Sequence, residues 1–186
     1  DMIDAVKRMC ARYPQEIEVA RDAGEVRRIV AAGKRAAVLC IEGGHAIEDD
    51  LAVLRQFREL GVQYMTLTWN NTNGWADSSR DEPRHHGLTD FGREVVREMN
   101  RLGMLVDVSH ASEETFWAAL ETSAQPLIAS HSSAWALCQH PRNLKDEQIK
   151  AMGERGGVMC VNFVPAFISQ AYNDAEQALH ERRHWE

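Results

Sequence analysis

Three side chains with an affinity for divalent cations stand at the ends of short apolar runs. Glu42 closes AAVLCIE (36–42), His110 closes MLVDVSH (104–110), and His131 lies in PLIASHSS (126–133) between Ser130 and Ser132. Two imidazoles and a carboxylate suit zinc, which is borderline-soft and takes nitrogen and oxygen ligands together. A carboxylate can also bridge two ions, and metals about 3.5–4 Å apart can hold a hydroxide between them. Zinc lowers the pKa of bound water to roughly 7, so such a hydroxide is a nucleophile at neutral pH. A plainer reading stands beside this one. A single histidine at a strand end is commonly a hydrogen-bonded structural residue, and a carboxylate beside a Gly-Gly turn can cap a helix or hold a loop.

The elements that would position these groups alternate along the chain. Helical spacing of apolar residues marks 2–13, ended by Pro14, and 23–33, ended by Gly33. Further helices are expected at 49–60, 89–102, 112–123 and 145–156, with one more from about 165 to the end. Ser112 opens the helix at 112–123, with acidic residues in its first turn. Between the helices lie apolar runs at 36–42, 62–69, 104–110, 126–133 and 158–164, with a weaker extended stretch at 16–20. A polar loop is expected at 70–88. Apolar runs alternating with helices imply parallel strands joined by right-handed crossovers. Two α/β architectures fit, an open doubly wound sheet and a (β/α) barrel, but no G-x-G-x-x-G follows a strand to support a dinucleotide fold. In a barrel, the C-terminal strand ends converge on one face. His110 and His131 are 21 residues apart, about one βα unit, which puts them on neighbouring strands at one level.

Composition narrows the function. The chain has 186 residues, 44% of them hydrophobic, ample for a single domain with one core. A net charge of -7 and no block of positive charge argue against a nucleic-acid partner. No run of 18 apolar residues occurs, so no membrane span is expected. Cys10, Cys40, Cys138 and Cys160 form no C-x-x-C pair, and Cys40 and Cys160 read as small buried hydrophobes.

Several segments in order resemble the membrane (renal) dipeptidase family. They are IEGGHAIEDDLAVLRQFRELGVQYMTLTWNNTNGWADS (41–78), GLTDFGREVVREMNRLGMLVDVSH (87–110), LVDVSHAS (105–112) and ASHSSAWALCQHPRN (129–143), and the likeness covers roughly 36–164. The resemblance implies a TIM-like (β/α)8 barrel of the metal-dependent hydrolase type, with a binuclear zinc site, that cleaves dipeptides and often tolerates a C-terminal D-residue. It implies that Glu42 bridges the two zinc ions, that His110 and His131 complete the second, and that Arg142 binds the substrate's terminal carboxylate. An Arg fork grips a carboxylate bidentately, which Lys does not.

The family's H-x-D pair has no match upstream of Glu42, and its late aspartate, a metal ligand and proton shuttle, has none either. The expectation is therefore residues 1–186 as an internal portion of a larger barrel, inactive alone and a weak zinc binder. At Trp69 some family members carry a histidine that contacts the substrate, so substrate range is open there, with Asn70 or Asn71 as substitutes. His45, His85, His86, His140, His180 and His184 are read as non-ligands: His45 packing behind the site, His85 and His86 solvated, His140 in a turn, and His180 and His184 on a charged helix. Asp107 could orient a histidine or face the barrel interior, and Trp117 and Trp135 read as packing residues. The alternatives are a related hydrolase of lactams or cyclic amides, or a non-catalytic remnant. The expected partner is a dipeptide, a homodimer is allowed, and the setting is a soluble domain of bacterial cytoplasm or periplasm.

Overall fold

The computed structural model describes residues 2–183, with side chains through Leu179, so His184 and the His180 side chain lie outside the described residues. The order of elements is α1 (Met2–Arg12), β1 (Ile17–Val19), α2 (Ala23–Ala31), β2 (Arg35–Ala37), β3 (Leu39–Ile41), a 3-10 turn (Gly44–Ile47), α3 (Leu51–Glu59), β4 (Val62–Thr66) and α4 (Asp90–Leu102), then β5 (Leu105–Asp107), α5 (Glu113–Thr122), β6 (Ile128–Ser132), α6 (Asp146–Glu154), β7 (Val158–Val161), α7 (Pro165–Ile168) and α8 (Gln170–Arg183). All strand pairings between named strands are parallel. β1 pairs with β2, and β3 to β7 form one sheet in sequence order. A doubly wound sheet reverses its strand order at a switch point, whereas a barrel adds each strand beside the last. The order found here is that of an arc of a (β/α) barrel.

Local chemistry sets the helix ends. Asp50, Thr89 and Ser112 each accept a first-turn N–H at the start of α3, α4 and α5, and Gly103 ends α4 in the left-handed conformation. Alternation along the strands does the rest. Leu39, Met65, Val106 and Ala129 turn to the helices and are buried with Leu54, Val95, Val96, Met99 and Phe116 in one core. Burying a side chain such as Leu54 stabilises by about 1.5–3 kcal/mol.

The structure differs from expectation in three places. The run 36–42 is divided at Val38: its first half pairs with β1 and its second with β4, so the weak stretch at 16–20 is a true strand. Cys40 and Cys160 are exposed, because period-two alternation places them on the sheet face opposite the helices, the concave face that an arc of a barrel leaves open. The loop 70–88 is not a solvated connection. Trp75 is fully buried in it, Asn73 Oδ1 accepts the N–H groups of Trp75 and Ala76, and buried Asp77 accepts those of Arg84, His85 and Gly87. No helix among the described residues is long and apolar enough to cross a membrane.

Candidate metal centre

Glu42 leaves β3 into a turn that only glycines fit. Gly43 has φ 105°, and its N–H donates to Thr66 Oγ1 at 2.5 Å. At Gly44 a Cβ would lie 2.3 Å from Trp75 Cζ2 and 2.5 Å from the Leu67 carbonyl oxygen. The carboxylate thus stands at the C-terminal edge of the sheet on a backbone tightly packed from below.

His110 follows β5 in the left-handed region, at φ 72°. A non-glycine residue there stores about 1–3 kcal/mol of strain and persists only where its surroundings enforce it. Here its carbonyl accepts from the Ser79 N–H at 2.8 Å and from Ser78 Oγ at 3.3 Å, tying it to the 70–88 loop. Ser78 Oγ also donates to the Trp69 carbonyl at 2.6 Å. His131 comes from β6, with Nδ1 2.7 Å from Ser130 Oγ.

These three side chains converge. His110 Nε2 and His131 Nε2 are 2.9 Å apart, and each is 3.1 Å from Glu42 Oε1. Among the described residues this is the group of His, Cys, Asp or Glu donors placed to hold a metal ion. Tetrahedral zinc with bonds of about 2.0–2.1 Å separates its ligand atoms by about 3.3 Å, so the triangle is close to one face of that tetrahedron. Burial, then the charges of Arg142, His131 and Arg80, push the His110 imidazole down to about 3. It is neutral at physiological pH and offers a lone pair. The donor set therefore fits a zinc-like ion.

Arg142 lies beside the triangle and is only 5% exposed. Its Nη2 donates to the His131 carbonyl at 3.3 Å, and its guanidinium sits 5.4 Å from the Phe167 ring centroid. Burial lowers its pKa to about 10, partly offset by Glu42, so it stays cationic at neutral pH. Its Nε is buried with no hydrogen-bond partner among the described residues. A cavity of about 340 Å³ adjoins His110 and Arg142, bounded also by Ser78, Ser79 and Trp135.

The other described histidines part company with the triangle, though two are not where expected. His45 is exposed, not packed behind the site. His85 is half-buried, with Nε2 2.9 Å from the Asn73 carbonyl oxygen, whereas His86 is exposed as expected. His140 is buried, accepts the Arg142 N–H at 3.1 Å through Nδ1, and stacks on Phe167 with centroids 4.2 Å apart. It braces the arginine. Trp69 is 44% exposed, with ring centroid 6.5 Å from that of His110. Asp107 touches neither imidazole. It has other partners, in line with the second of its two expected roles: its Oδ1 accepts the backbone N–H groups of Ser109 and Ser130.

Known proteins resemble this chain over most of its length. The family model for membrane dipeptidases, peptidase family M19, matches residues 1–182. Dipeptidase tcpJ of Claviceps purpurea is 43% identical over 180 residues, 96% of this chain and 42% of the fungal protein. Dipeptidase 3 of Mus musculus is 42% identical over 167 residues, 87% of this chain and 33% of the mouse protein. The solved structure of the probable dipeptidase PvdM from Pseudomonas aeruginosa matches with TM-score 0.86 and 30% identity, over 90% of this chain and 44% of that one. A metallo peptidase from Rhodobacter sphaeroides, liganded with a phosphinate mimic of the dipeptide L-Ala-D-Ala, also gives TM-score 0.86 and 30% identity, over 91% and 50%. The chain spans less than half the length of these curated relatives. It is an incomplete (β/α)8 barrel, and it belongs to the membrane dipeptidase family, peptidase family M19.

Proposed function

We propose that Glu42, His110 and His131 hold zinc in a dipeptidase active site, and that Arg142 receives the free carboxylate of the dipeptide. The observation that carries this reading is the 2.9–3.1 Å triangle of donor atoms at the C-terminal edge of a parallel sheet. Three protein ligands are the pattern of a catalytic rather than a structural zinc. Zinc bound there supplies Lewis acidity, lowering the pKa of water to about 7 and polarising the scissile carbonyl. Glu42, as a carboxylate, would be the ligand able to serve a second ion in the complete protein.

The chain's own residues select and orient. A dipeptide carries its scissile carbonyl close to a free carboxylate. A fixed cation beside the metal ligands therefore measures length as well as charge. Arg142 suits this task because burial strengthens its pairing with an anion and His140 and Phe167 hold it still. A C-terminal D-residue is within the proposed substrate range.

The test is zinc content and hydrolysis by the complete natural chain. L,D- and L,L-dipeptides should be cleaved and N-acyl amino acids and lactams should not, with zinc bound at two ions per chain. A protein free of zinc, or one that prefers lactams, overturns the proposal.

A further inference from the structure

Asp107 is wholly buried at the end of β5, and nothing in the proposed chemistry employs it. The ladder between β5 and β6 has a single register pair, Asp107 with Ile128. Beyond that point the Asp107 side chain takes over the joining. Its Oδ1 accepts the Ser109 N–H at 2.9 Å and the Ser130 N–H at 3.1 Å, the first just past β5 and the second within β6. Both serines then reach His131. Ser109 Oγ accepts the His131 backbone N–H at 3.0 Å, and Ser130 Oγ is 2.7 Å from His131 Nδ1. The tautomer that would bind a metal through Nε2 has its proton on Nδ1, where Ser130 Oγ stands in place to accept it.

We propose that Asp107 is a positioning residue for the metal centre: its carboxylate stitches the ends of β5 and β6 together, and so fixes His131 in the rotation and tautomer that aim Nε2 at Glu42 and His110. This rests on the reading that the triangle binds metal. The stitch needs an acceptor at Oδ1 and not a charge, because Oδ2 has no hydrogen-bond partner among the described residues.

That distinction makes the inference testable in the complete natural chain. Zinc affinity is measured by chelator competition, and the His131 tautomer by 15N imidazole shifts in the metal-free protein, assigned with His131→Ala. Wild type is expected to hold the proton on Nδ1. Asp107→Ala is expected to weaken zinc binding about 10–100-fold and to mix the tautomers. Asp107→Asn, which keeps Oδ1, is expected to stay within about threefold of wild type, since neutral acceptors form the weaker bonds. Wild-type affinity in Asp107→Ala overturns the inference. So does an Asp107→Asn protein as weak as Asp107→Ala, which would make charge and not the stitch responsible. Should Asp107→Ala fail to fold, the Ser109→Ala, Ser130→Ala double variant tests the second half of the relay, from the serine hydroxyls to His131, while both backbone bonds to Asp107 remain. It should lose zinc affinity about tenfold with mixed tautomers, and unchanged values break the link from Asp107 to His131 and overturn the inference. Wild-type protein that takes up no zinc is a different result, and it removes the metal reading along with the inference.

Discussion

Adding one methyl group at Gly44 should damage both stability and the metal site. The new Cβ would lie 2.3 Å from Trp75 Cζ2 and 2.5 Å from the Leu67 carbonyl oxygen. Carbon contacts are comfortable at about 3.5–4.0 Å, so something has to move by about 1 Å. Trp75 is fully buried in the core, and the Leu67 carbonyl is fixed from its other side by Asn73 Nδ2 at 2.9 Å. The segment that yields is the turn carrying Glu42. Overpacking of this kind costs about 1–3 kcal/mol. At about 2–4 °C per kcal/mol for a domain of this size, Gly44→Ala should melt roughly 2–12 °C below wild type. A 1 Å misplacement at a reacting centre costs on the order of 100-fold, so kcat/KM in the complete chain should fall by up to that factor. Zinc affinity should fall with it. The control is Gly153→Ala in α6, where a Cβ meets nothing within 4 Å and helix propensity favours alanine by about 1 kcal/mol. Thermal melts and chelator competition on both variants decide the matter. A Gly44→Ala protein that matches wild type in melting and in zinc affinity refutes the argument.

Three further outcomes are expected. The bonds from Arg101, opposed by burial and reinforced by Arg55, hold the Glu98 carboxyl down at about 2, against an ordinary 4.5. That difference sets a ceiling of about 3 kcal/mol, but both guanidiniums are about half exposed, so the contribution is nearer 1 kcal/mol. A depressed carboxylate stabilises above its unfolded pKa and loses that effect as pH falls from about 4.5 to about 2. Denaturation of Glu98→Gln should therefore show a gap to wild type at pH 7 that closes by about pH 2, and a gap independent of pH would sink the assignment. Arg142→Ala should lower kcat/KM for dipeptides by about 10–1000-fold while sparing amide substrates without a carboxylate, as expected for loss of about 1.5–3 kcal/mol or more of charge-assisted bonding. Arg142→Lys should recover only part of this in the same assay. His131→Ala should weaken zinc binding by at least about 100-fold by calorimetry, and chelation of the wild-type protein should abolish hydrolysis until zinc is restored.

Much of the fold could be read before any coordinates because it depends on local signals. Gly103 after an amphipathic run and Ser112 before one mark helix ends by their own backbone and side-chain chemistry, and the structure has those ends. The strands that bear Glu42, His110 and His131 could be read for a similar reason: continuous apolar runs between helices leave few alternatives to a parallel sheet. Features built from contacts distant in sequence could not be read. Trp75 reads as part of a polar loop until it is seen filling the space under Gly44, 31 residues earlier. Cys40 and Cys160 look apolar in context, but one register step puts them on the face away from the helices. His140 looks like an ordinary turn residue, and only the fold brings Phe167 against it. The Asp107 contacts had a faint signal, a serine directly before each of His110 and His131, but the strand pairing was needed to show which carboxylate they answer to.

The Ser78 hydroxyl shares its one proton between two carbonyls, chiefly that of Trp69 at 2.6 Å and secondarily that of His110 at 3.3 Å. One of these residues is Trp69, whose ring centroid is 6.5 Å from that of His110, and the other is His110 itself, a proposed metal ligand. Diversifying the 70–88 segment to obtain new substrates would therefore pull on the backbone of a metal ligand. Engineering here should retain Ser78 and vary the side chains around it, since a loop that lets go of this hydroxyl would trade affinity for the cation against breadth of substrate.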